Sequence, residues 1–146
     1  MTRQKIVLVL FAILGLIVLY DRSEWVFHRS TKNQTISVER LKYAIENKKS
    51  NLQVGGKGVV KAVLKDDNKG SRHQRFILTL PTNHTILISH NIDLAPRITN
   101  LRKGDTVSFF GEYEWNKKGG VVHWTHHDPQ EKHVDGWLEH NGRIYQ

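Results

Sequence analysis

From Gly58 onward apolar and polar residues alternate with a period of two, and this alternation most limits the folds open to the chain. Gly58-Val59-Val60-Lys61-Ala62-Val63-Leu64-Lys65 predicts a first strand, closed by the turn-forming Asp66-Asp67-Asn68-Lys69-Gly70-Ser71. A second strand is expected from His73 to Leu80, stopping at Pro81. Phe76, Leu78 and Leu80 then take one face, and His73 and Arg75 the other. His84 to His90 reads as a third strand, and Asn91 to Lys103 breaks the pattern, with Asp93 and Pro96 placed to start one short helical turn. Leu101-Arg102-Lys103-Gly104-Asp105 turns the chain into a fourth strand, Thr106 to Trp115, on which Val107, Phe109, Tyr113 and Trp115 share a face. Past the loop Asn116 to Gly120, a fifth strand is expected over Val121–His126, and Asn141-Gly142 predicts a hairpin in the tail.

Ahead of the strands, Val38, Leu41, Ala44 and Ile45 recur at helical spacing, so a helix is expected over 37–48 with Ser37 or Thr35 as cap. A helix, three strands, a short helical connection and two more strands give a mainly β fold. The order suits a small five-stranded OB-like barrel with an N-terminal helix, the partly open Greek key. A plain antiparallel sandwich would produce a similar string and remains the alternative.

A different pattern governs the amino terminus. Met1 to Lys5 is a basic lead, and Ile6 to Tyr20 is an apolar run without a charge. Fifteen helical residues rise about 22 Å, short of a roughly 30 Å hydrocarbon layer. Snorkelling by Lys5 and Arg22, with Tyr20 and Trp25 at the interface, makes a slightly mismatched span workable. A cleaved secretory signal is the competing reading, but no small-residue cleavage site follows the run. The expected organisation is therefore a lead and hydrophobic anchor helix over 1–20, a polar tether over 21–36, and a barrel domain with a C-terminal hairpin tail over 37–146. A short amino-terminal tail usually stays in the cytoplasm, which puts the domain on the far, periplasmic side of a bacterial inner membrane. Release after signal cleavage is the alternative.

The chain has no cysteine, which excludes a lipoprotein, disulfides and thiolate chemistry. Its formal net charge of +8 suits anionic lipid, single-stranded nucleic acid or an acidic glycan, and equally suits plain solubility. Several catalytic motifs are absent. Asp66-Asp67-Asn68-Lys69-Gly70 starts like a calcium loop but has Ile77 where the closing glutamate belongs. Gly55-Gly56-Lys57-Gly58 leads into a strand rather than a helix, so it is not a phosphate loop. Ser89-His90 and Thr125-His126 lack a nucleophile elbow.

Chemistry is suggested in one place. Five of the nine histidines fall within 123–140: His123, His126, His127, His133 and His140. Imidazole is the commonest metal ligand. If the fifth strand continues to His126 with Trp124 inward, His126 is buried at the barrel end while His123 and His127 stand outside. The candidate metal set is His123, His126, His127 and Asp128, with His73, His90 or His133 as supplements, and it suits zinc, copper or iron(II). The spacing matches no established zinc motif, and the plain alternative is a hydrogen-bonded rim of histidines. A second candidate set lies on the presumed binding face of strands two and three: His73, Arg75, His90, Asn91 and Arg97, with the arginines meeting an anionic ligand.

His73-Gln74-Arg75-Phe76, the run His90 to Arg97, Gly111-Glu112-Tyr113-Glu114-Trp115-Asn116 and the run His123 to Pro129 resemble a family of small bacterial proteins known only as a domain of unknown function. The resemblance spans about residues 55–146. It implies a bacterial source and nothing about mechanism. The function expected from the residues is a membrane-anchored module binding an anionic ligand, a transition metal, or both. The rival is a metal-dependent phosphodiesterase or nuclease that uses the same histidines.

Overall fold

The computed structural model describes residues 34–146. The apolar run 6–20 and residues 21–33 of the expected tether lie outside them. Among the described residues no helix is long and apolar enough to cross a membrane.

Helix α1 covers 34–46, starting and ending earlier than its apolar spacing predicts. Leu41 and Ala44 are buried and Ile45 is partly so, while the rest of the helix is largely exposed. Its end is a Schellman motif. Lys49 N–H reaches back to Ala44 O at 2.9 Å and Lys48 N–H to Ile45 O at 3.4 Å, with Lys48 in the left-handed region at φ 53°.

Seven strands follow: β1 (Leu52–Val63), β2 (His73–Thr79), β3 (Thr85–Asn91), β4 (Thr106–Glu114), β5 (Val121–His123), β6 (Trp137–His140) and β7 (Arg143–Tyr145). Strand β1 is longer than the alternation suggests, because Gly55, Gly56 and Gly58 hide its period. They are needed there: a Cβ on Gly56 would lie 2.7 Å from Phe109 Cζ and 3.3 Å from Leu41 Cδ2, so α1 and the Phe109 ring pack directly on bare backbone. The length of β1 closes the sheet. Its first half pairs antiparallel with β4 (Leu52↔Tyr113 to Val59↔Thr106), and its second half with β2 across a bulge between Val60 and Ala62.

Strand β2 pairs with β3, β3 runs parallel to β5, and β5 is antiparallel to β4, so five strands form a closed barrel in the order β1-β2-β3-β5-β4-β1. Beyond β5, the same edge of β4 accepts β6 (Val107↔His140 to Phe110↔Trp137), and β7 completes a hairpin. Its turn residues Asn141 and Gly142 both have positive φ, 52° and 74°, as a two-residue hairpin of this type requires.

The barrel interior is filled by alternate residues of each strand, including Val54, Phe76, Leu78, Ile86, Ile88, Val107, Phe109, Tyr113, Val122 and Leu138. Phe76, Leu78 and Leu80 point inward together, as their parity predicts. Gln74 is the buried polar exception on β2. Its side chain donates to Ile98 O and accepts from Ile98 N–H, both at 2.9 Å, and so fastens the 92–105 connection over the barrel.

Candidate metal centre

Parity on β4 assembles the site. With Val107, Phe109 and Tyr113 inside, Glu112 and Glu114 must point out. Glu112 stands directly opposite His123 of β5. The two strands approach closely because position 111 is glycine: a Cβ there would collide with the His123 carbonyl. One oxygen from each of Glu112 and Glu114 and one nitrogen of His123 lie within 4.8 Å of one another, and all three residues are half-buried. His123 Nε2 is 3.5 Å from Glu112 Oε1 and is a buried atom without a hydrogen-bond partner. Burial lowers the pKa of His123, although Glu112 and Glu114 pull it upward. The ring is therefore neutral at pH 7, the form in which imidazole ligates a metal.

The chain leaves the strand at Trp124, whose φ is 51°. Strand β5 thus ends three residues before its expected limit, and parity no longer places the residues beyond it. The segment 124–136 folds into a loop built on two carboxylates. Asp128 accepts from the N–H groups of Gln130 (3.0 Å), Lys132 (2.8 Å) and His133 (2.9 Å). Those bonds hold its carboxyl below the usual range, despite opposing desolvation. Asp135 accepts from Asp128 N–H and from His127 Nδ1.

This loop carries His133 back to the barrel, where Nε2 meets Glu112 Oε2 at 2.8 Å and Nδ1 meets Val134 O at 2.9 Å. Burial disfavours the charge on His133, but the bonds to Glu112 and Val134 outweigh it and raise its pKa. Trp124 is half-buried. Its ring stacks on that of His133, with centroids 4.3 Å apart and planes 8° from parallel.

Of the candidate metal set, only His123 lies in the cluster. His126 is buried at 3% exposure, with Nδ1 donating to His127 O. His127 is exposed and paired with Asp135, and Asp128 is occupied by backbone amides. Glu112 and Glu114 were missed by sequence reasoning: the parity of β4 puts both on its outer face, but their place beside His123 is set by the β4–β5 register.

Part of the second candidate set shares one outer face: His73 stands directly opposite Asn91 in the β2–β3 ladder, and Arg75 lies two positions along the same face. His73 and Arg75 lie on the outer face of β2, two strands from His123. His73 Nδ1 donates to Ser71 O, and Arg75 donates to Lys65 O through Nε and an Nη. Asn91 accepts from Asp93 N–H, and Arg97 pairs with Asp66. His90, expected on that exposed face, is fully buried because Ile86, Ile88 and His90 share the inward parity of β3.

What the β4–β5 arrangement can do chemically is hold a divalent cation with two carboxylates and one imidazole, a donor set suited to zinc or iron(II). No curated protein matches the chain. Residues 26–146 match the family described as "Protein of unknown function (DUF3465)", and the chain belongs to that family.

Proposed function

We propose that this protein is a membrane-anchored, OB-like barrel whose function is to bind a divalent transition metal, zinc foremost, at Glu112, Glu114 and His123. One observation carries the reading. A neutral histidine nitrogen, buried and without a hydrogen-bond partner, sits among two carboxylates on a rigid β-ladder. An unpaired buried polar atom is costly, and a cation on the Nε2 lone pair satisfies it and both carboxylates together. The apolar run 6–20 supports anchorage in a bacterial inner membrane. An anionic ligand, nucleic acid or acidic glycan, held by Arg75 and Arg97 has less support, because both side chains already have internal partners.

The test is elemental mass spectrometry of the full chain purified in mild detergent without chelator, followed by calorimetric titration with zinc. One metal per chain is expected. His123→Ala should weaken zinc at least about 100-fold, since even outer partners of a metal are worth 10–100-fold. Metal-free protein that ignores millimolar zinc defeats the reading.

A further inference from the structure

On the reading that Glu112, Glu114 and His123 hold a divalent metal, we propose that the centre is open. Three protein ligands leave a fourth position to water that a small oxyanion, a carboxylate or a phosphate, can displace, and His133 is a positioning residue outside the coordination sphere.

The two oxygens of Glu112 are already divided between the two histidines. Oε1 is 3.5 Å from His123 Nε2, whereas Oε2 is 2.8 Å from His133 Nε2. In a tetrahedral site with bonds of about 2.0–2.2 Å, neighbouring ligand atoms stand roughly 3.4 Å apart. The first spacing is an edge of such a site; the second is an ordinary N–H···O hydrogen bond. His133 Nδ1 faces a second acceptor, Val134 O at 2.9 Å, so both ring nitrogens donate and neither offers a lone pair. A ligating carboxylate with one oxygen on the metal and the other on an outer donor is the arrangement expected of a second shell. The stack with Trp124 holds the imidazole on that outer side.

Three protein ligands with an exchangeable fourth position are the form of metal sites that take substrate, as opposed to the closed four-ligand form that only braces a fold. A second observation points to what enters. Gln53 lies directly across from Glu112 in the β1–β4 ladder, and its side-chain Nε2 is a buried donor without an acceptor. An oxyanion on the metal supplies that acceptor, while the metal acidifies whatever water it retains.

Cobalt(II) loaded into the full chain in detergent reports the open position through its visible bands. Azide and inorganic phosphate should each shift the spectrum saturably. His133→Ala should weaken cobalt 10–100-fold yet keep the azide response. His133→Gln, which retains a donor for Glu112, should restore affinity to within a few-fold with unchanged bands. Gln53→Leu should weaken phosphate about tenfold and leave cobalt affinity alone. Bands indifferent to both anions, or changed by His133→Gln as by a lost ligand, would mean a closed four-ligand centre and overturn the proposal while metal binding stands. An unchanged phosphate affinity in Gln53→Leu would remove the assigned oxyanion donor. A chain that takes up no cobalt at all defeats metal binding first, and the open centre with it.

Discussion

His90 illustrates how a single residue can set a pH dependence. Parity puts it inside with Ile86 and Ile88. Its Nε2–H donates to Pro96 O at 3.2 Å, which leaves Nδ1 to accept from the Thr125 hydroxyl at 2.8 Å, a fully used neutral ring. Burial pushes its pKa down from 6.5 to about 4. The Pro96 carbonyl opposes the shift, and His126 and His73 add to it. The unfolded chain takes up this proton near pH 6.5, while the native ring refuses it until about pH 4. Stability from His90 is therefore complete above pH 6.5, is lost as the pH falls from 6.5 to 4, and changes no further below that. The full effect is on the order of 3 kcal/mol. Denaturant unfolding at pH 7.5, 5.5 and 4.5 should show the wild type losing more stability on acidification than His90→Gln. The carboxylates of Asp93, Asp105, Asp128 and Asp135, all held below their usual range, titrate in both proteins and cancel from the difference. Equal slopes for the two proteins would contradict this account.

At the level of elements, the 124–136 loop depends on Asp128, whose carboxylate takes three amide N–H groups. Asp128→Ala leaves those amides to solvent. Hydrogen exchange at Gln130, Lys132 and His133 should accelerate strongly and the melting temperature fall, while exchange along the β4–β5 ladder stays slow. Asp128→Asn, which keeps one acceptor oxygen, should fall between. Faster exchange spread evenly over the barrel would show that the loop is not an independent unit.

This loop also marks where the sequence stops being readable. Alternation defines β2, β3 and β4 almost to the residue, since each packs one face on the core. It misleads at β5, where Trp124 adopts a positive φ that a bulky side chain rarely takes. A parity count carried through Trp124 groups His127 with His123, although the strand ends between them. His133 reaches Glu112 only because a loop of specific side-chain-to-backbone bonds returns it there, and no periodicity encodes such a return. Glu112 and Glu114 were legible from β4 itself. What brings them to His123 is the cross-strand register of β4 and β5, which no single strand's period encodes.

In the molecule as a whole, the core and the candidate centre occupy opposite faces of the same strands. On β4, Phe109 and Tyr113 point inward and Glu112 and Glu114 outward, so stability and metal binding should separate by mutation. Leu138 of β6 is fully buried against that core. Leu138→Ala should cost about 2–5 kcal/mol by lost transfer free energy and a residual cavity, and leave zinc affinity within a few-fold. Glu114→Gln should do the reverse. Without metal, removing one of two neighbouring carboxylates relieves like-charge repulsion, so the variant should melt no lower than the wild type. Added zinc raises the wild-type melting point because it binds only the native ladder, by about 2.7 kcal/mol at a concentration 100 times the dissociation constant. Glu114→Gln should lose most of that shift. Thermal unfolding of three proteins with and without zinc decides the matter: a Leu138→Ala protein whose zinc-dependent shift also disappears would place the metal in the fold's own support, not in a site carried on its outer face.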